Sequence, residues 1–153
     1  MNSVFDTTFE MSLRLVLLLS ASGGDARTTD MLTLIDTIAI YGGEFGIAEA
    51  NLHGKIDSIL DELDTRRELI KLALKDLVLR GMVHISESHE GFSYMISENG
   101  AAFTEKLTSA YANEYRSLVS AANALADSKT EREVFSMIRE TCDSMMERGL
   151  GNG

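Results

Sequence analysis

The side chains with the clearest capacity for chemistry form a basic row in one predicted helix. Arg67, Lys71 and Lys75 are spaced four residues apart, so they line one helix face. Residues 66–80 hold five basic and two acidic side chains, a balance of +3, and the basic ones are Arg66, Arg67, Lys71, Lys75 and Arg80. Such a row contacts either phosphates or an acidic protein surface. The alternative is a solvated face that nearby carboxylates partly neutralise, at about 0.2–0.5 kcal/mol per pair.

No set of residues has the spacing of an active site. His53, His84 and His89 are the three histidines, and no third ligand has the spacing of a metal site beside the two that flank the predicted hairpin turn. The glycines of residues 42–46 lack the Gly-Lys-Ser/Thr ending of a phosphate-binding loop and indicate a helix end. Cys142, the single cysteine, lies in an apolar helical stripe. We therefore predict a protein that is not an enzyme and uses no cofactor, metal or small-molecule substrate.

A second candidate for partner contact is the segment between two predicted helices. Residues 44–55 lack helical periodicity and predict a loop or distorted turn. Phe45, Asn51 and His53 are its candidate interface side chains.

The overall charge opposes nucleic-acid binding. The chain has 153 residues, a length typical of one domain, with 14 basic and 24 acidic side chains and a net charge of −10. No Lys or Arg occurs from residue 81 to residue 105, whereas Glu87 and Glu90 lie at the predicted hairpin turn. Carboxylates there repel phosphate, so we expect contact with DNA to be indirect or weak. For a protein with this charge, contact with another protein is a better expectation than contact with DNA, and the basic row serves either such a contact or a solvated face.

Hydrophobic periodicity predicts the elements that position these residues. Apolar residues at helical spacing predict helices at 3–20, from Thr28 or Thr29 to Gly42, around Ile56 and Leu63, at 65–81, at 98–126 and at 131–148. Thr-x-x-Glu capping boxes at residues 65–68 and 130–133 predict two of the helix starts. Alternating apolar residues on either side of residues 87–91 predict a β-hairpin.

This order predicts a mainly α fold with a β-hairpin, a winged helix-turn-helix core with a long C-terminal helical extension. We expect one domain over residues 1–149, with its core at about 28–105 and a disordered tail at 150–153. The narrow apolar seam of the 98–126 helix is expected to be exposed and to need a partner. The apolar run at 15–19 follows Asp6, Glu10 and Arg14, which is unlike a secretion signal, and no run is long enough to span a bilayer. We expect a cytoplasmic protein with no membrane contact.

Two sets of motifs carry resemblances to known families. Residues 74–103, a helix ending in Leu-Arg-Gly-Met-Val, a hairpin and a helix starting with Ser-Glu-Asn-Gly, resemble small bacterial winged-helix regulators. Over residues 5–120 the sequence resembles a middle component of bacterial ABC-three-component systems, the accessory subunits of Lamassu-type antiphage defence. The motifs are Tyr-Gly-Gly-Glu-Phe-Gly at 41–46, Asn-Leu-His-Gly at 51–54, Arg-Arg-Glu-Leu at 66–69 and Leu-Val-Leu-Arg-Gly at 77–81.

The second resemblance implies a non-enzymatic winged-helix subunit. Its partners would be an SMC/Rad50-like ATPase and an effector, often a nuclease, that acts after foreign DNA is sensed. An alternative function is a dimeric transcriptional regulator that binds DNA through residues 66–80. These two functions predict different binding partners for the same helix.

Overall fold

Six helices and one β-hairpin form the part of the chain that the computed structural model describes, which is residues 7–53, 59–89 and 91–151. In chain order they are α1 (Thr8–Ala21), α2 (Thr29–Ile40), α3 (Ile59–Leu79), β1 (Val83–Ser88), β2 (Gly91–Ile96), α4 (Glu98–Glu105), α5 (Ala110–Ala126) and α6 (Glu131–Gly151). This confirms a mainly helical fold with an antiparallel hairpin.

Hydroxyl caps fix most helix starts. The Thr28 side chain accepts a hydrogen bond from the Met31 N–H at 3.1 Å, so of the two predicted caps Thr28 is the correct one. The box at residues 130–133 is also confirmed, because Thr130 and Glu133 exchange backbone-to-side-chain bonds of 3.0 and 3.1 Å. The first helix begins at Thr8, and the predicted residues 3–6 lie outside the described part.

The core is built around α2. Residues 31–40 of α2 are all buried, and this helix contacts α1, α3, α5 and α6. Residues 14–19 of α1 are buried as well, as are Tyr115, Val119 and Ala122 of α5. Two central helices that are buried over most of their length thus hold the outer helices in place.

Backbone pairing beyond the hairpin's own two strands occurs only beside β2 in the described part of the chain. Its register pairs Val83 with Ile96 and Ser88 with Gly91. Arg27, between α1 and α2, forms an isolated antiparallel bridge to Tyr94 through two backbone hydrogen bonds of 2.8 Å. Because this bridge lies beside β2, β1 is the outer edge of the sheet.

One helix replaces the two that the sequence predicts before the hairpin. α3 is continuous from Ile59 to Leu79, so the box at residues 65–68 lies inside it, and Ile56 falls outside the described residues. The buried stripe of α3 runs through Ile59, Arg66 and Ile70. The prediction that a second helix starts at residue 65 was wrong. The buried stripe of α3 continues through position 66, where a charged residue, Arg66, interrupts the apolar pattern in the sequence.

The predicted helix at 98–126 is two helices. α4 ends at Glu105 and α5 begins at Ala110, with the Ser109 hydroxyl accepting from the Ala112 N–H at 3.1 Å. Arg116 donates to the carbonyls of Thr104 and Leu107 at 2.8 and 3.0 Å, which satisfies groups that the break exposes. The seam expected to be exposed is buried against α1 and α2. α6 continues through Gly151, into the segment expected to be a disordered tail.

Candidate interaction surface

The basic row lies on the outer face of α3, where neighbouring carboxylates partly neutralise it. Arg67 donates to Asp30 of α2, an ion pair that raises the pKa of the guanidinium. Lys71 pairs with Glu68 at 3.2 Å, one turn away. Lys75 is exposed and makes no ion pair within the described part of the chain. The row therefore keeps its unneutralised charge mainly at Lys75, its C-terminal member.

Arg80, the last predicted contact residue, is exposed at the C-terminal end of α3. Its Nε lies 2.8 Å from a carboxylate oxygen of Asp76, one turn earlier. An exposed pair of this kind contributes about 0–1 kcal/mol, so it does not fix Arg80 in place.

Arg66 is not on this surface, which corrects its assignment as a contact residue. Only 5% of Arg66 is exposed, and its guanidinium lies 3.4 Å from Asp36 and 3.4 Å from Glu62. It also packs over the ring of Tyr41, 5.8 Å from the centroid. The helical stripe of α3 turns position 66 toward the core, where no partner reaches it.

Arg66 belongs to a buried charge cluster that the sequence analysis missed. Asp36 of α2 accepts from Arg14 of α1 at 3.0 and 3.3 Å and from the Tyr115 hydroxyl of α5 at 2.6 Å. Arg14, Asp36 and Tyr115 are fully buried. A single carboxylate thus connects α1, α3 and α5 to α2. The available signal was that Arg14 and Asp36 are each the only charged residue beyond the first turn of an otherwise apolar helix.

The cluster keeps its charges at neutral pH. Burial raises the pKa of the Asp36 carboxyl, but the charges of Arg14 and Arg66 outweigh burial and hold this pKa at about 2. Burial lowers the pKa of Arg14, but Asp36 and Tyr115 together outweigh burial, so this pKa stays above its ordinary value. Burial raises the pKa of Tyr115, which stays a neutral hydrogen-bond donor. The arrangement stabilises the fold and contains no group poised for proton transfer.

The predicted interface loop is folded back on the protein. Asn51 accepts from the Glu44 N–H at 3.2 Å through its side chain, and Phe45 is half-buried against the core. Gly43 approaches the backbone at Ala50 so closely that a Cβ would lie 2.9 Å from it. The same glycines that predict a helix end therefore close a compact turn, which leaves Phe45 and Asn51 partly exposed. Residues 54 and 55 lie outside the described residues.

His53 links this loop to α5. Its Nε2 lies 2.9 Å from the Tyr111 hydroxyl, and the two rings stack with centroids 6.3 Å apart. Burial lowers the pKa of His53 to about 4, and the charge of Arg14 adds to the effect. At neutral pH His53 is therefore uncharged and partly buried, which gives it a packing role.

An apolar face of the hairpin stands opposite the basic row. The register places Val83, Ile85 and Glu87 on the same face as their partners Ile96, Tyr94 and Phe92. Val83 is buried, whereas Ile85 is 46% exposed and Phe92 52% exposed. Glu87 is exposed at the hairpin tip, and Glu90 lies outside the described residues.

The remaining candidate chemistry has no geometric support. Across residues 7–53, 59–89 and 91–151, no group of three or more His, Cys, Asp or Glu residues is arranged to hold a metal ion. Cys142 is buried, and burial raises the pKa of its thiol. No helix in the described part is both long and apolar enough to cross a membrane.

A family comparison identifies the chain. The model of the family described as ABC-three component (ABC-3C) system Middle Component 2 matches residues 4–148. The chain belongs to this family. Middle Component 2 is by its description one part of a three-component system, which indicates an accessory role beside other subunits. No curated protein matches the chain, and no solved structure matches it.

Proposed function

We propose that this Middle Component 2 protein is a non-enzymatic accessory subunit of a bacterial antiphage defence complex. It joins an SMC/Rad50-like ATPase to an effector subunit, such as a nuclease. The observation that carries this proposal is the family match, which extends from residue 4 to residue 148 and so includes every described helix and strand except the last residues of α6.

The order of elements supports a winged-helix architecture. α1, the bridging residue Arg27, α2, α3 and the hairpin follow one another as the helices and strands of a winged helix do. The long segment between α2 and α3 departs from the short turn of a simple helix-turn-helix. Fold alone does not assign DNA binding, so the function is argued from surface chemistry.

The surface chemistry favours a protein partner. Arg66 is buried, Arg67 and Arg80 are paired with carboxylates, and the hairpin carries Glu87 without any Lys or Arg. A winged helix that binds DNA needs basic side chains on both the helix and the hairpin to neutralise phosphates. Here the helix carries basic side chains and the hairpin carries none.

Co-expression with the ATPase and effector encoded by neighbouring genes tests the proposal. We expect the tagged protein to co-purify with at least the ATPase through size-exclusion chromatography. Isolation of the tagged protein alone, with both other subunits soluble in the lysate, would contradict it.

The alternative, a dimeric DNA-binding regulator, is favoured by one observation, the basic row on α3. It predicts that the isolated protein shifts a duplex from its own upstream region, with affinity falling steeply as salt increases. If the duplex is not shifted at any protein concentration, this alternative is wrong.

A further inference from the structure

We propose that the groove between α3 and the hairpin binds an extended acidic segment of a partner subunit, one that carries apolar side chains between its carboxylates. This inference rests on the proposed function, because it supplies the docking surface for the ATPase or effector. It goes further by locating the contact and by stating the chemistry of the bound segment.

The groove has one basic wall and one apolar wall. A hollow of about 240 Å³ is lined by Lys71, Lys75, Val78, Leu79, Ile85 and Tyr94. A second hollow of about 420 Å³ shares Lys71 and Tyr94 with the first and adds Phe92. Its other charged lining residues are Arg67, Asp30, which pairs with Arg67, and Glu131, so the unpaired basic charge of the groove is concentrated at its lysines. The shared residues place the two hollows side by side along the groove between α3 and the hairpin.

Apolar side chains along this channel are unusually exposed. Leu79 is 78% exposed, Phe92 52% and Ile85 46%. Single exposed apolar residues are common on protein surfaces, but three that line one groove mark an interaction site. Their burial by apolar side chains of a partner favours binding because it removes apolar surface from water.

The charge of the groove selects an acidic occupant. The protein has a net charge of −10, so Lys71 and Lys75 form a positive exception on an acidic surface. The nearest carboxylate to Lys71 is Glu68, an exposed pair of a kind that contributes little. Carboxylates of a partner segment that lie beside these two lysines complement them, whereas the unbroken row of phosphates along a duplex also meets Asp30, Glu87 and Glu131.

The backbone of β1 explains why the bound segment is extended. The N–H and C=O of Tyr94 point to Arg27 and hence away from β1. Ile85, opposite Tyr94, is therefore a non-hydrogen-bonded partner of β2, and its own N–H and C=O point out from the free edge. The same alternation applies to Val83 and Glu87. An edge strand without Lys, Pro or a bulge is open to addition of another strand.

A matched pair of charge reversals tests the groove in the co-expressed complex. Lys71→Glu with Lys75→Glu changes two exposed residues of the groove, and Lys106→Glu with Lys129→Glu changes two exposed lysines elsewhere by the same total charge. We expect the first variant to bind the partner subunit at least about tenfold more weakly and the second to bind as the wild type does. Because all four side chains are exposed, thermal melting should show both variants folded.

A photo-crosslinker identifies the occupant directly. p-Benzoylphenylalanine at position 92 should crosslink to the partner subunit, and mass spectrometry should map the link to an acidic segment with apolar residues. The same group at position 146, an exposed methionine of α6, serves as the control and should not reach that segment.

The outcomes separate this inference from the proposed function. If the wild type holds its partner, and the Lys71/Lys75 variant holds it equally with the position-92 crosslink absent, the groove is not the docking site although the accessory role stands. If the wild type holds no partner, both fall. If the isolated wild type binds duplex DNA and the Lys71/Lys75 variant does not, the occupant is nucleic acid and the inference is overturned.

Discussion

At the scale of single residues, the fold depends on one carboxylate that faces two guanidinium groups in the core. Replacing Asp36 with Asn leaves Arg14 buried without a counter-charge and leaves Arg66 with Glu62 alone, and we expect the free energy of unfolding to fall by about 3–5 kcal/mol. Asp76→Asn, which removes an exposed partner of Arg80, is the matched control and should cost less than about 1 kcal/mol. Urea unfolding at pH 7 measures both, and equal losses would contradict the assignment.

The pKa of Asp36 sets the pH below which the buried charge cluster stops stabilising the fold. This pKa is about 2 in the folded protein, below the ordinary value of 3.8, so its stabilising effect is complete above that value. The effect is lost as pH falls from about 4 toward 2, where the folded carboxylate takes up its proton.

His53 titrates in a different window, which allows a separate prediction. Its pKa falls from 6.5 to about 4 on folding, so the unfolded chain binds more protons between these values. The protein should therefore lose stability as pH falls from 6.5 to 4, a loss that His53→Gln reduces because glutamine does not titrate. His84→Gln, on the exposed face of β1, is the control. Denaturant unfolding between pH 4 and pH 6.5 measures how steeply the free energy of unfolding changes with pH. Identical slopes in the wild type and in His53→Gln would count against the prediction.

At the scale of elements, the Thr-x-x-Glu motif occurs twice. At residues 130–133 it caps a helix, whereas at residues 65–68 it lies inside one. Thr130 caps α6, and Thr130→Ala should cost about 0.5–2 kcal/mol. Thr65 lies in the interior of α3 and is exposed, so Thr65→Ala should be neutral or slightly stabilising, since alanine has the higher helix propensity. Thermal unfolding of the two variants measures the difference, and an equal loss would imply a helix start at residue 65.

Local signals predicted those elements whose boundaries are local. The period-2 pattern of the hairpin, the Thr28 cap and the box at 130–133 all depend on residues close in sequence, and the structure confirms them. The continuity of α3 and the break before α5 depend on distant contacts. Asp36 accommodates Arg66 inside α3, and Arg116 satisfies the carbonyls between α4 and α5.

The sequence predicted one part of the candidate surface, the shared face of the basic row, and did not predict the rest. Helical spacing correctly placed Arg67, Lys71 and Lys75 on one face, because that relation follows from helix geometry alone. It did not reveal that Arg66 faces inward, since burial of a charge requires a counter-charge from another helix. Nor did it reveal the groove, which needs the hairpin to fold against α3.

At the scale of the whole molecule, charge is distributed unevenly over an acidic protein. The basic row and the apolar hairpin face lie together, whereas the buried cluster and the loop at residues 41–53 serve packing. Family membership places the chain beside other components. We therefore propose that this helical protein presents one groove, part basic and part apolar, to a partner subunit.

The mass of the complex formed on co-expression tests this account most directly. Light scattering after size-exclusion chromatography should give a single species whose mass exceeds that of the ATPase assembly by one or more copies of the 16.8 kDa chain. The Lys71/Lys75 double reversal should return the chain to its own elution position. Separate elution of the wild-type chain from both co-expressed subunits, at every salt concentration, would contradict the central claim.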